Sequence, residues 1–461
     1  MAGTPTGEKT MKTHAISQWL SRDDCPDSPI SWQGNDSITL RTLRHDVMAL
    51  YLRMAENTAT RWALCFEDSY HFCVGLLATL HAGKIPVIPG HCREAQLQEQ
   101  QSLFDGVLTD LPLTLSCPCW QLFPNEGKID LPETVLPGIA PDAVLVLFTS
   151  GSTGVPKQII KSVSVMDQET QWLASLWGKI LQSCLIRASV SHQHLYGLTF
   201  RIWLPMSLGL PFERTMVEFP EQLTNNPRCA LISSPAFLQQ LDQNLPAPDC
   251  SFVVSAGGPL HFSDAEQVMQ WLNITPHEIY GCTETGIMAW RARKTDDTVW
   301  TTFSGVSFEK EDEMGMRVYS PLLSDPDGMA LDDRLSFDAQ GNFTLMGRRD
   351  RTVKIGEKRI SLSDIERRLR EMDGIADTAV LTVKRGKRCH IGAVVVLDDE
   401  TYAHYQQQGI TRFSRYWRRQ LKLWLEPVAL PRYWRVVKTI PLNAQSKRSW
   451  PALQELFNEA R

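Results

Sequence analysis

Apolar residues along this chain gather in short runs separated by longer stretches of helical period. Residues 62–66, 85–90, 106–110, 144–148, 230–234 and 252–255 are such runs, most of them closed by Gly, Pro, Ser or Asp. Short unbroken apolar runs read as strands covered on both faces, the pattern of a parallel sheet. Between them, residues 43–54 and 162–180 have helical spacing, the second with Trp172, Leu176 and Ile180 on one face. Residues 70–82 are apolar all round and stop at Gly83, which predicts a fully buried helix. Strand and helix in alternation predict a layered α/β domain built on mostly parallel sheet. The pattern changes late in the chain. Residues 338–342 (DAQGN) read as a hairpin turn. Residues 363–372 read as a helix opened by Ser363, with Glu366 three places on as a capping box. Strands at 378–383 and 391–397 complete a compact α+β module.

The chemistry concentrates where the run 144–148 ends. Thr149, Ser150, Gly151, Ser152, Thr153 and Gly154 follow it, with Pro156 and Lys157 closing the stretch. Hydroxyls alternating with glycines offer several oxygens and backbone N–H groups to one anion, and Lys157 adds a positive charge. This is a phosphate cradle, but not the P-loop of ordinary NTPases, which needs Gly before the Lys and Ser or Thr after it. Pro156 and Gln158 stand there instead. A second site, Tyr280-Gly281-Cys282-Thr283-Glu284-Thr285-Gly286, supplies an aromatic face, a close-approach glycine, a hydroxyl for phosphate and a carboxylate for a cation. Small residues at 255–258 let something flat pass close to the backbone. His192 and His194 flank Gln193 before Leu195-Tyr196-Gly197, with no acidic or Cys partner at a ligand-like spacing, so zinc is disfavoured. Packed imidazoles in a helix-capping turn account for the pair equally well.

These motifs together resemble those of the AMP-forming adenylating enzymes, which include acyl-CoA synthetases, carrier-protein ligases and firefly luciferase. The resemblance runs from residue 30 to residue 455. It implies an α/β fold with a large multi-layer N-terminal domain of mostly parallel sheets and a small mobile α+β C-terminal domain. The expected boundaries are 1–346, a hinge at 347–351 about Asp350, and 352–461. It implies ATP and Mg²⁺ as cofactors. The cradle residues and Lys157 would hold phosphates, Ala256 and Gly257 would line the adenine, and Tyr280 and Gly281 would pack against it. Thr283 would contact the α-phosphate, Glu284 would bind the metal, and Asp333 and Arg348 would hold the ribose. Lys447, in a run resembling PxNxxGK, would reach the α-phosphate and the acid. His194 would stand in the wall of the acid pocket. The chain departs from the family at Leu331-Asp332-Asp333, where TGD is usual, at Gly356-Glu357, and at Ser446 in place of Gly.

Composition sharpens the choice of partner. With 43% hydrophobic and 21% charged residues the chain has the make-up of a globular enzyme, and no apolar run reaches membrane-spanning length. The N-terminus does not read as a signal peptide, and eleven scattered cysteines fit reduced thiols, so a cytoplasmic location is expected. From residue 348 onward, 24 Lys and Arg face 13 Asp and Glu, whereas the rest of the chain is acidic. A basic C-terminal module suits an anionic partner. The expected activity is ATP-dependent conversion of an aryl or fatty acid to acyl-AMP, then transfer to the phosphopantetheine thiol of an acyl carrier protein. Aryl polyene pathways have short stand-alone ligases of this kind, which the chain resembles. Free CoA is the alternative acceptor. An inactive nucleotide-binding relative is the alternative of another class. Nucleic acid is not expected, because no recognised binding motif accompanies the charge.

Overall fold

The computed structural model describes residues 12–21, 25–122, 135–149, 157–224, 227–311, 315–348, 351–355, 358–385, 388–423, 425, 427–443 and 447–458. It divides into two compact units, Met1–Val306 with Ser320–Pro326, and Ser307–Tyr319 with Asp327–Arg461. The boundary expected at residue 346 lies inside the second unit, and Asp350 is outside the described residues.

The first unit holds two large sheets, as the alternating pattern predicts. One has six strands in the order Cys119–Gln121, Gly106–Thr109, Arg61–Cys65, Ile85–Ile88, Val144–Thr149 and Lys157–Ser162. Every pairing in it is parallel except the last. The other has nine strands, with a parallel centre of Leu185–Ala188, Cys229–Ser233, Cys250–Ser255 and His277–Cys282. Helix Ser69–His81 is buried at every position, which is why its sequence shows no polar face. Asp68 caps it, accepting from the Tyr70 and His71 amides, a cap of the kind that contributes about 1 kcal/mol.

Helix Val163–Leu181 forms where its spacing predicts, but its core face is different. Leu173, Trp177 and Leu181 are buried, whereas Ile180 is 37% exposed and Trp172 and Leu176 are half-buried. A stripe one residue along was chosen by packing against the sheet. Strand Lys157–Ser162 was not expected. Lys157, Gln158 and Ile160 are exposed along it, and only Ile159 and Lys161 are buried.

In the second unit, strands Ile375–Arg385, Arg388–Leu397 and Tyr433–Val436 pack against helices Leu362–Arg370, Asp399–Leu421 and Trp450–Asn458. Trp417 and Trp434, with ring centroids 5.0 Å apart, sit in the core with Ile365, Leu369 and Leu421. The hairpin at 338–342 forms as expected, closed by Asp338, whose carboxylate accepts from the Gln340 and Asn342 amides. The capping box at Ser363 does not form. Ser361 caps the helix, accepting from the Asp364 amide. Glu366 turns instead to the Val380 amide and the Arg351 guanidinium, both at 2.6 Å. A part-buried, charge-assisted pairing outcompetes a local cap whose charge would stay in water.

Candidate active site

In the first unit, the cradle's two ends are fixed by sheet register. Thr149 and Lys157 are directly opposed on antiparallel strands. Ser150, Gly151, Ser152, Thr153 and Gly154 lie outside the described residues. From the next strand over, Gly90 adopts φ +83°, and a Cβ there would lie 3.3 Å from His194 Cε1 and 3.5 Å from the Phe148 carbonyl oxygen. His194 is thereby packed beside the strand that leads into the cradle.

The two histidines have different duties. His192 is 1% exposed, and its Nε2 donates to the Phe66 carbonyl at 2.9 Å while its Nδ1 accepts from the Ser69 hydroxyl at 3.0 Å. Burial, reinforced by the nearby Arg201, pushes its pKa down to about 3, so it is a neutral structural residue. Gln193 donates to the Leu64 carbonyl at 2.9 Å. Together they staple this loop to strand Arg61–Cys65 and set His194, half-buried, at the strand ends. Tyr196 is structural too, its hydroxyl lying 3.0 Å from the carbonyls of both Ser233 and Val254. Those strands lead into the turn at 255–258, where Ala256 is buried and Gly257, at φ +88°, is exposed.

The Tyr280–Gly286 turn joins strands His277–Cys282 and Gly286–Ala292. A Cβ on Gly281 would fall 2.3 Å from the Gly286 carbonyl oxygen, so no other residue closes this turn. Thr285 is fully buried, its hydroxyl accepting from the Cys282 amide. Thr283 and Glu284 are half-buried on the other side. Tyr280 is backed by Trp300, with ring centroids 5.8 Å apart. Lys157 Nζ lies 3.3 Å from Glu284 Oε1, so the end of the cradle and the acidic turn meet. Burial raises the Glu284 pKa, but hydrogen bonds from its own amide and from Lys157 outweigh this and leave it lowered. Its carboxylate is ionised at neutral pH.

In the second unit, Asp333 and Arg348 are opposed in register on strands Asp333–Phe337 and Phe343–Arg348. Asp333 is half-buried whereas Asp332 is exposed. Lys447 is exposed. Its backbone N–H donates to Asn443 Oδ1 at 2.9 Å and its carbonyl accepts from the Asn443 amide at 2.6 Å. The Asn of the terminal motif therefore closes the loop that displays the lysine.

Residues 93–314 match the family model described as AMP-binding enzyme. A 4-coumarate–CoA ligase of Cereibacter sphaeroides is 25% identical over 251 residues, which are 52% of this chain and 57% of that protein. A D-alanine–D-alanyl carrier protein ligase of Staphylococcus haemolyticus is 23% identical over 360 residues, 69% of this chain and 72% of that one. The ATP-bound crystal structure of MatB from Rhodopseudomonas palustris superposes with a TM-score of 0.80 at 18% identity, covering 97% of this chain and 99% of that one. The chain carries an AMP-binding enzyme domain over those residues. It spans little more than half the length of the first of these relatives, and its fold is that of the adenylate-forming enzymes, with mixed, mostly parallel sheets in a large N-terminal part and a small C-terminal domain.

Three features of the chain escaped the sequence reading. Gly90 carried a signal, a glycine after a strand end. Lys161 and Glu169 carried none, since a Lys and a Glu near the start of an amphipathic helix normally face water. Arg448 looked like one more surface base, yet it bonds Asp377 at 2.8 Å and approaches Glu366 at 3.4 Å, anchoring the loop beside Lys447. All eleven cysteines are free thiols. Among the described residues no cluster of His, Cys, Asp or Glu could hold a metal, and no helix is long and apolar enough to cross a membrane.

Proposed function

We propose that the chain is an ATP-dependent acid–thiol ligase that converts a carboxylic acid to an acyl adenylate and passes the acyl group to a phosphopantetheine thiol. The observation that carries this reading is the meeting of Lys157 with Glu284, 3.3 Å apart, where the cradle ends and the Thr283–Glu284 turn begins. A carboxylate oxygen attacks the α-phosphorus, the bond from that phosphorus to the bridging oxygen breaks, and pyrophosphate leaves. The protein's part is alignment and charge stabilisation. Thr283 and Lys447 stabilise charge on the α-phosphoryl oxygens, Lys157 and the cradle hold the departing pyrophosphate, and Tyr280 with Ala256 and Gly257 flanks the base. Asp333 and Arg348 hold the ribose, and His194 borders the acid. Glu284 fits Mg²⁺, being an ionised hard-oxygen donor fixed by its own backbone, and Mg²⁺ typically takes one or two carboxylates with phosphate oxygens. When bound, the ion would neutralise charge on the phosphates. A swing of the C-terminal domain about Asp350, removing Lys447 after adenylation, is part of the same proposal.

An acyl carrier protein is the proposed acceptor. Helix Asp399–Leu421 breaks at Gly409, and beyond it Arg412, Arg415, Arg419 and Lys422 are exposed at three- and four-residue spacing. Tyr416 and Leu423 are exposed among them, while Phe413, Trp417 and Leu421 face the core. Residues 401–425 contain no Asp or Glu. A basic stripe with an apolar centre suits an acidic protein surface better than a single small thiol. The match to 4-coumarate–CoA ligase favours the second reading, in which CoA is the acceptor. Pyrophosphate release should be followed across a panel of aryl and fatty acids, with holo-carrier protein or CoA added in turn. Acid-dependent release with thioester formed on the carrier is expected. Thioester formed only on CoA would replace the acceptor. Nucleotide binding without release from any acid would mean an inactive relative.

A further inference from the structure

Beneath the Tyr280–Gly286 turn lie two charges that the chemistry above does not use. Lys161 is 4% exposed, on strand Lys157–Ser162, and its Nζ donates to the Glu284 backbone carbonyl at 2.7 Å. Glu169 is 1% exposed, on helix Val163–Leu181. Its Oε2 is buried without a hydrogen-bond partner and lies 3.5 Å from where a Cβ on Gly286 would be. The Ile287 backbone N–H favours its charged form, as does Lys161. The two ends of the segment 284–287 thus face opposite charges, the carbonyl end a cation and the N–H end an anion. Such an arrangement is unfavourable in isolation. Burial drives Glu169 up to about 7 and Lys161 down from the usual lysine range. An apolar pair of similar volume at such a site is often as stable or more so, so stability alone does not account for it.

We propose that Lys161 and Glu169 are positioning residues, a buried clamp on the backbone of residues 284–287 that fixes Thr283 and Glu284 relative to Lys157. The catalytic consequence rests on the adenylation reading; the conformational one does not. Without the Lys161 ammonium, the part-buried Glu284 carbonyl loses a charged donor, and the turn is no longer held from that side. Gly286, at φ +70°, completes the device, because a side chain there would be strained and would crowd Leu322 Cδ1 at 3.0 Å, with Glu169 in ordinary contact at 3.5 Å.

The test uses Lys161→Met, Glu169→Leu, the double variant and Lys161→Arg in the full chain. Each single apolar variant leaves a lone buried charge and should melt below wild type, and the double should recover most of that loss. In the double, amide hydrogen exchange over residues 283–287 should quicken by about tenfold or more, because the turn is no longer held. Its kcat for acid-dependent pyrophosphate release should fall about 100-fold, as expected for a small misplacement of reacting groups. The KM for the acid should stay within about threefold, since the acid is held elsewhere. Lys161→Arg keeps a charged donor and should retain much of the wild-type exchange and kcat, although it is bulkier than Met. A double variant that melts and exchanges like wild type overturns the clamp, as does Lys161→Arg behaving no better than Lys161→Met. Faster exchange in the double, together with a wild type that releases no pyrophosphate, supports the clamp and overturns the adenylation reading.

Discussion

The turn at 280–286 and the loop at 443–447 carry proposed partners in one reaction, and they are built in opposite ways. The first is over-determined. Gly281 packs against the Gly286 carbonyl, Thr285 is buried, Trp300 backs Tyr280, and Lys161 grips the Glu284 carbonyl from below. The second displays its lysine at the surface. Among the described residues, the Asn443 side chain and backbone bond to Lys447, Arg448 anchors the far end, and Lys447 is exposed. The contrast suits two tasks. Groups that grip a metal–nucleotide gain from rigidity, which removes the cost of ordering them at each turnover. A lysine used in one step gains from being displayed on a module that brings it to the phosphate and takes it away.

That contrast can be broken at either region. Lys447→Ala should lower the rate of pyrophosphate release about 10²–10³-fold, the usual loss for a charge-stabilising donor, while nucleotide affinity and melting stay near wild type. Equal losses in both would place Lys447 in ground-state binding and erase the distinction. Gly281→Ala should do the reverse. Forcing a Cβ to 2.3 Å from a carbonyl should destabilise the first unit by about 1–3 kcal/mol in a denaturant titration and weaken nucleotide binding with it.

His192 and His194 offer a finer test within one loop. His192→Leu should cost about 1–3 kcal/mol, because the Phe66 carbonyl and the Ser69 hydroxyl lose a buried partner. Its pKa of about 3 in the folded protein lies far below the unfolded value near 6.5. The folded state therefore binds fewer protons. The stability His192 confers is present above about pH 6.5 and lost as pH falls, at up to about 1.4 kcal/mol per pH unit. Urea titrations between pH 6.5 and 4 should show a steeper loss for wild type than for His192→Leu. His194→Ala should leave that slope alone and change the KM for the acid. The smallest effect belongs to Asn443→Ala, which should cost about 1 kcal/mol or less and lower kcat a few-fold by loosening the Lys447 loop.

How far the sequence reveals this design depends on whether a feature is local. The strands at 144–148 and 252–255 and the helix at 70–82 were legible because burial on every face leaves an unbroken apolar run. The closing glycine of the acidic turn and the Asn of the terminal loop were legible as motifs, since each acts on backbone a few residues away. Helix Leu362–Arg370 was found but its cap was misplaced by two residues, because Glu366 is engaged by Arg351 and Val380 from outside the helix. The same limit hid Lys161 and Glu169. Their burial follows from a helix and a sheet meeting the turn at 284–287, and nothing in residues 157–169 records that meeting.

The central claim is that a carboxylate oxygen attacks the α-phosphorus of ATP. It is tested most directly by supplying a competent acid whose carboxylate carries ¹⁸O, completing turnover with the thiol acceptor, and weighing the nucleotide product. AMP carrying one ¹⁸O atom from the acid is the expected product. ADP as the product, with the label in inorganic phosphate, would mean attack at the γ-phosphorus and would contradict it.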